Sequence, residues 1–142
     1  MRRRSRQTEA HVDRDPIIYS LIARHWQASQ DGDADAEHNI YASSAILDYP
    51  QSGERFSGRE TIQAQRGSHP AERRFAVRRI SGHAEQWISE CVITYDGLPT
   101  YSVSIMEFEN DHVVHETQYF ADPFEADPGR ARLAEHIPEI GQ

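Results

Sequence analysis

The sequence predicts an α+β domain in which a cone-shaped, curled antiparallel or mixed sheet packs around N-terminal helices and leaves a ligand-sized pocket. Three observations carry this. Helical periodicity is confined to the stretch before residue 70. Val, Ile, Tyr, Phe and Thr dominate residues 73–121. Tight reversals at Asp96-Gly97 and Asn110-Asp111 then fold the β-rich part into a meander. Helices gathered ahead of a run of strands specify α+β and not an alternating α/β order. With a single layer of helices, the sheet must curl around them to bury both surfaces, and the mouth of the resulting cone admits a small molecule.

Each element has its own signal. Residues 1–14 hold Arg2, Arg3, Arg4, Arg6 and Arg14 with almost nothing apolar to bury, and read as a solvated tail. Asp15-Pro16 opens a helix, an N-cap oxygen followed by a proline whose missing N–H costs nothing in the first turn. Ile17, Ile18, Leu21, Ile22, His25 and Trp26 recur at three- and four-residue spacing to make its buried face, and Asp31-Gly32-Asp33 stops it. A second short helix covers Ala34 to about Ile40. Tyr41 to Tyr49 reads as a strand ending at Pro50, followed by turn chemistry at Gln51-Ser52-Gly53-Glu54. Ser57 and Glu60 form a capping box that opens a helix from Arg59 to about Ser68. Strands follow over Arg73–Gly82, Gln86–Tyr95, Thr100–Glu109 and His112–Ala121. The domain spans residues 15–124, and residues 125–142 form an extension with a short candidate helix near Arg130–His136.

Composition excludes several function classes. The 142-residue chain suits one domain, with 23 acids against 15 bases for a net charge of −8. That field repels nucleic acid and anionic membrane. All 15 bases are arginine, which removes Schiff-base and P-loop lysine chemistry. The lone Cys91 excludes a disulfide framework and a cysteine-rich zinc site, and fits a cytoplasmic protein. No apolar run has the length of a membrane span. His112 and His115, three apart in a strand, point to opposite faces and cannot share a metal ion. No metal or other cofactor is expected.

Arg24-His25-Trp26 running to Asp31-Gly32-Asp33, the stretch Leu47 to Glu54 with Ser57-Gly58-Arg59-Glu60, and Glu116 through Phe120 followed by Asp122 carry a family likeness. With the strand order, they resemble the SnoaL-like and ketosteroid-isomerase-like branch of the nuclear transport factor 2-like superfamily. The isomerases of that family use a tyrosine on the first helix, an aspartate base after the first strand and a protonated aspartate on a later strand. Those positions fall on His25, on Tyr49 with Asp48 one residue early, and on Ser104. The acid of the polyketide cyclase-like members falls on Gln118, with Glu116 the nearest inward carboxylate. The resemblance also implies a homodimer across the open sheet face, with Val103, Ile105, Thr117 and Tyr119 as its outward residues.

Strand alternation then gives the lining. If Glu116 faces the cavity, so do Gln118 and Phe120, and the matching phases hold Trp87, Ser89, Cys91, Ile93 and Tyr95 and then Ser102, Ser104, Met106 and Phe108. His25 and Glu116 form the sharpest constellation, a proton carrier beside a carboxylate that fixes its tautomer, with Tyr49 or Tyr95 donating to a developing oxyanion. Asp48 is a further candidate base. Trp26 and Trp87 are candidates to stack on a planar ligand, against a plain core role. The competing reading of His25 is structural, with its ring bonded to a backbone carbonyl. Two functions follow: cofactor-free isomerase, cyclase or dehydratase chemistry on a small hydrophobic carbonyl or polycyclic molecule, or a non-catalytic ligand-binding or dimeric module of the same fold.

Overall fold

The computed structural model describes residues 13–67 and 73–138. The tail up to residue 12 and the expected helix end at Ser68 lie outside the described residues. Helix α1 spans Asp15–Asp31 and buries Ile18, Ile22, His25, Trp26 and Ser29 along one stripe. Ile17, expected on that face, is instead 42% exposed. The cap also differs from expectation. Arg14 holds the N-cap position without a side-chain capping bond, and the Asp15 carboxylate accepts from His83 Nδ1 at 2.6 Å and from the Ala84 N–H at 2.9 Å. Its partner lies across the fold because a carboxylate in the first turn is also free to reach outward. Gly32 ends the helix at φ +75°, a left-handed position that suits glycine, and the Asp33 N–H closes onto the Ala28 carbonyl.

Helix α2 spans Ala34–His38, with the Asp33 side chain accepting from the Ala36 N–H at 3.2 Å. Strand β1 (Tyr41–Tyr49), strand β2 (Glu54–Ser57) and helix α3 (Arg59–Gly67) follow. Strand β2 is a correction, since the sequence reading places only a turn there. The turn occupies residues 50–53, after which β2 pairs antiparallel with β1 and Phe56 packs edge-on to Tyr49 at 5.3 Å. Strands β3 (Arg73–His83), β4 (Gln86–Tyr95), β5 (Leu98–Glu109) and β6 (His112–Ala121) form the expected meander. Asp96 and Gly97 both take positive φ, as a two-residue hairpin turn requires.

The six strands are ordered β2-β1-β6-β5-β4-β3, and β1 pairs parallel with β6. The sheet is curled and unclosed, with α1 packed across its concave face and Ile22, Tyr41, Leu47, Met106 and Val113 fully buried between them. Outward side chains on the opposite face include Ile88, Tyr101, Val103 and Tyr119, all exposed. The candidate helix at Arg130–His136 is not formed. A short 3₁₀ turn at Pro128–Arg130 stands there, capped by Asp127, and Leu133 is 80% exposed, so no burial offsets the cost of extending it. No helix among the described residues is long and apolar enough to cross a membrane.

Candidate functional site

The cone contains a cavity of about 310 Å³, within the range of small-molecule sites. Trp26, Phe75, Ile93 and Phe120 supply its apolar wall, and Glu37, Tyr49, Gln65, Arg66, Arg73, Tyr95, Thr100 and Gln118 its polar groups. Five of the candidate residues therefore border it: Trp26, Tyr49, Tyr95, Gln118 and Phe120. Their geometry follows from α1 and from strand phase. Trp26 donates its indole N–H to Ser89 Oγ at 3.0 Å, which fixes the ring against β4. The Tyr49 ring stands edge-on to Phe120 at 5.2 Å, and its hydroxyl accepts from Gln65 Nε2 at 2.8 Å.

The remaining candidates lie elsewhere. Asp48 sits between inward Leu47 and Tyr49 and therefore points out, where Arg55 holds both its oxygens at 2.7 and 2.9 Å and His115 Nε2 lies 2.9 Å away. The Arg55 hydrogen bonds lower its pKa to about 2, against the opposing effect of burial and with help from His115. Trp87 is buried at the other end of β4 from Ile93 and Tyr95, and its indole donates to the Ala84 carbonyl at 3.0 Å. It is a core residue, as aromatic residues at such spacings usually are.

His25 and Glu116 are not joined by a hydrogen bond. His25 Nδ1 donates to the Glu37 carbonyl at 2.6 Å, the ring borders a separate recess with Leu21, Ala36, Asn39 and Ile40, and Nε2 has no partner among the described residues. Since a carbonyl can only accept, the proton rests on Nδ1 and Nε2 is a bare acceptor. Burial lowers the imidazole to about 4, outweighing the pull of the Glu116 charge. The expected proton carrier is thus neutral across the physiological range.

Glu116 is the centre of a polar cluster behind the cavity wall. Fully buried, it accepts from the hydroxyls of Tyr41 and Ser104. Arg66 Nη2 bonds it at 3.2 Å and bonds Gln118 Oε1 at 2.9 Å, and Arg66 Nη1 donates to the Tyr41 hydroxyl at 2.6 Å. Gln118 in turn donates to Ser102 Oγ at 3.0 Å. Burial pushes the Glu116 carboxyl up, but the Arg66 charge and the Ser104 and Tyr41 hydroxyls outweigh it and hold it below the usual range. Burial opposes the Arg66 charge as well, yet Tyr41 and Glu116 keep it firmly ionised. Burial, reinforced by the Glu116 charge, raises Tyr41 far above an ordinary tyrosine. With every strong partner taken, Glu116 serves to hold Arg66 and is a poor base. Ser104 belongs to this cluster, not to the lining.

Three residues of the site escape sequence reasoning. Arg66 lies one helical turn beyond Ile62, the buried anchor of α3, and so shares its inward face. Tyr41 shares the phase of inward Ala45, Leu47 and Tyr49 along β1. Both signals were available. Glu37 sits on a five-residue helix too short to show a period. Among the described residues, no group of three His, Cys, Asp or Glu side chains is placed to hold a metal ion.

No family model matches the sequence, and no curated protein does. Solved structures do. The chain is 54% identical to an NTF-2 like protein of unknown function from Burkholderia xenovorans LB400, over 88% of this chain and 98% of that one, with a TM-score of 0.84. It is similar in fold to a protein provisionally described as a ketosteroid isomerase from Kribbella flavida DSM 17836, at 18% identity over 91% and 96% of the two chains and a TM-score of 0.80. A more distant likeness, at 13% identity over 72% and 81% and a TM-score of 0.61, is to an LEH-like epoxide hydrolase from M. tuberculosis.

Proposed function

The chain belongs to the nuclear transport factor 2-like family, and from that premise we propose that it binds a small, largely apolar molecule in its cone, with an oxygen of that molecule held by Arg66. The observation that carries this reading is the nearly buried, ionised guanidinium on a largely apolar surface. Among the described residues its bonds go to Tyr41, Glu116 and Gln118, which fix its plane and number fewer than its five N–H donors. A preorganised and largely desolvated cation binds a carbonyl or carboxylate oxygen strongly and with a set direction. Tyr49 and Tyr95 stand on the same lining as further hydroxyls.

The same geometry favours binding and carbonyl polarisation over acid–base work by His25 and Glu116. His25 keeps a free Nε2 but faces a separate recess and is a weak base, while the Glu116 oxygens are taken and its carboxyl is held below the usual range. The fold hosts both chemistry and plain binding, so function rests on the site. A homodimer through the Val103 and Tyr119 face remains part of the proposal, since these exposed residues would be covered by such pairing.

The test uses Trp26 fluorescence, since Trp26 lines the cavity and Trp87 does not. Titration with 3-phenylpropanoate and with the neutral ketone 4-phenylbutan-2-one is expected to change the emission saturably. Arg66→Lys keeps the charge beside Glu116 but loses the planar fork, and is expected to weaken carboxylate binding about tenfold. Equal affinity in the wild type and in a folded Arg66→Lys variant would refute the role of Arg66.

A further inference from the structure

One acidic side chain on the cavity wall has no hydrogen bond or ion pair among the described residues. Glu37 is 3% exposed, lines the cavity, and its carboxylate makes no hydrogen bond or ion pair among the described residues. Its backbone carbonyl takes the His25 ring and its N–H bonds Asp33, so the main chain is satisfied while the side chain is not. The Glu37 side chain opens onto the cavity, where a guest that brings a positive charge or a strong donor can pair with it.

The arginines on the same lining do not supply that partner. Arg66 is in direct contact with Glu116, Gln118 and Tyr41, and interacts with Glu37 through its charge, with no hydrogen bond or ion pair between them. Arg73 lies with its guanidinium 5.6 Å from the centre of the Phe75 ring. The same cavity is lined by the aromatic side chains of Trp26, Tyr49, Tyr95 and Phe120, a residue type that favours organic cations. Acceptor and rings together make a site for an ammonium group.

We infer that Glu37 is the cation-binding residue of the cavity, and that the guest carries a protonated amine on an apolar or aromatic body small enough for about 310 Å³. This rests on the reading of the cone as a small-molecule site and adds a second recognition point to it. Arg66 takes an oxygen, Glu37 takes the nitrogen, and a ligand that presents both groups satisfies both.

Three probes of one size separate the ideas: 3-phenylpropylamine, 3-phenylpropan-1-ol and 3-phenylpropanoate, titrated by Trp26 fluorescence and by calorimetry against the full chain. The amine is expected to bind at least about tenfold more tightly than the alcohol. Glu37→Gln, nearly isosteric, should remove that preference while leaving 3-phenylpropanoate binding intact or tighter. Glu37→Asp, which keeps the charge, should restore most of it. Thermal melts of each variant establish that it is folded. The inference is overturned if amine and alcohol bind alike, if Glu37→Gln binds the amine as well as the wild type, or if no amine binding occurs up to about 10 mM. Carboxylate binding without amine binding sinks this inference and spares the reading of Arg66, whereas the absence of both sinks the two together.

Discussion

Replacing Glu116 by Gln isolates one quantity, the charge that balances Arg66. Glutamine keeps the shape and an acceptor oxygen for Arg66 and Tyr41, and Ser104 can turn its hydroxyl to accept from the new amide. What is lost is the negative charge next to a guanidinium whose side chain is 9% exposed, in a site where the carboxylate itself is 0% exposed. At that burial, solvent does not replace the missing partner. Breaking such a pair costs about 3–5 kcal/mol, and the retained hydrogen bonds put this variant near the low end. With roughly 2–4 °C per kcal/mol for a domain of this size, the melting temperature should fall by about 6–12 °C. Calorimetry with urea titration at pH 7 measures it. The cycle is completed by Arg66→Met and the double variant, which should be less destabilised than either single change because no unpaired charge remains. The folded pKa of Glu116 is lowered, so its stabilisation is present above the unfolded value of 4.5 and is lost as pH falls through the folded value. The variant should lack that segment of the acid profile. A fall under about 2 °C, or a double variant whose loss equals the sum of the singles, would refute the reasoning.

Other outcomes follow from the same kind of argument. Burial lowers His25 to about 4 from 6.5, so its contribution to stability is complete above pH 6.5 and is lost as pH falls toward 4, by about 3 kcal/mol. His25→Asn, whose amide can replace the Nδ1 bond to the Glu37 carbonyl, should flatten urea midpoints across that window, and an unchanged slope would contradict it. A Cβ at Gly82 would meet the Gln86 carbonyl oxygen at 2.5 Å and the Trp87 backbone at 2.7 Å. Gly82→Ala should therefore destabilise by about 1–3 kcal/mol, read from a thermal melt, and an unshifted melting temperature counts against the packing. Burial pushes the Cys91 thiol up to about 12, so Ellman's reagent should react with it in urea and not in buffer. Asp48→Asn, on the outer surface, should change ligand affinity by no more than about twofold.

Strand phase is where the sequence is most informative. On β4 and β5 one inward residue fixes the rest, so Ser102, Ser104, Met106 and Phe108 and the series Trp87 to Tyr95 follow from alternation. Phase cannot say which end of a strand meets the cavity. Trp87 and Tyr95 share a face, yet only Tyr95 borders the site. Nor does it say what stands behind the wall. The acid at Glu116 reads as catalytic in sequence because its saturating partners, Tyr41 on β1 and Arg66 on α3, come from elsewhere in the chain. Asp48 fails for a simpler reason, since one residue along a strand reverses the face. Strand β2 is held by pairing with β1 and by Phe56 against Tyr49, contacts that no local pattern announces. Glu37 is invisible because a single-turn helix has no periodicity to read.

The parallel pairing of β1 with β6 also orders events in time. Strands β3 to β6 are joined by short reversals, and each hairpin closes a small loop at low entropic cost. Tyr41 and Glu116, in contrast, are 75 residues apart in sequence. Their bond cannot form until the first and last strands have met, a slow, long-range step by comparison with hairpin closure. The polar cluster behind the cavity wall is therefore completed at the junction of two halves, where Tyr41 of β1 meets Glu116 of β6. A chain that stalls before that junction has a sheet but no pocket.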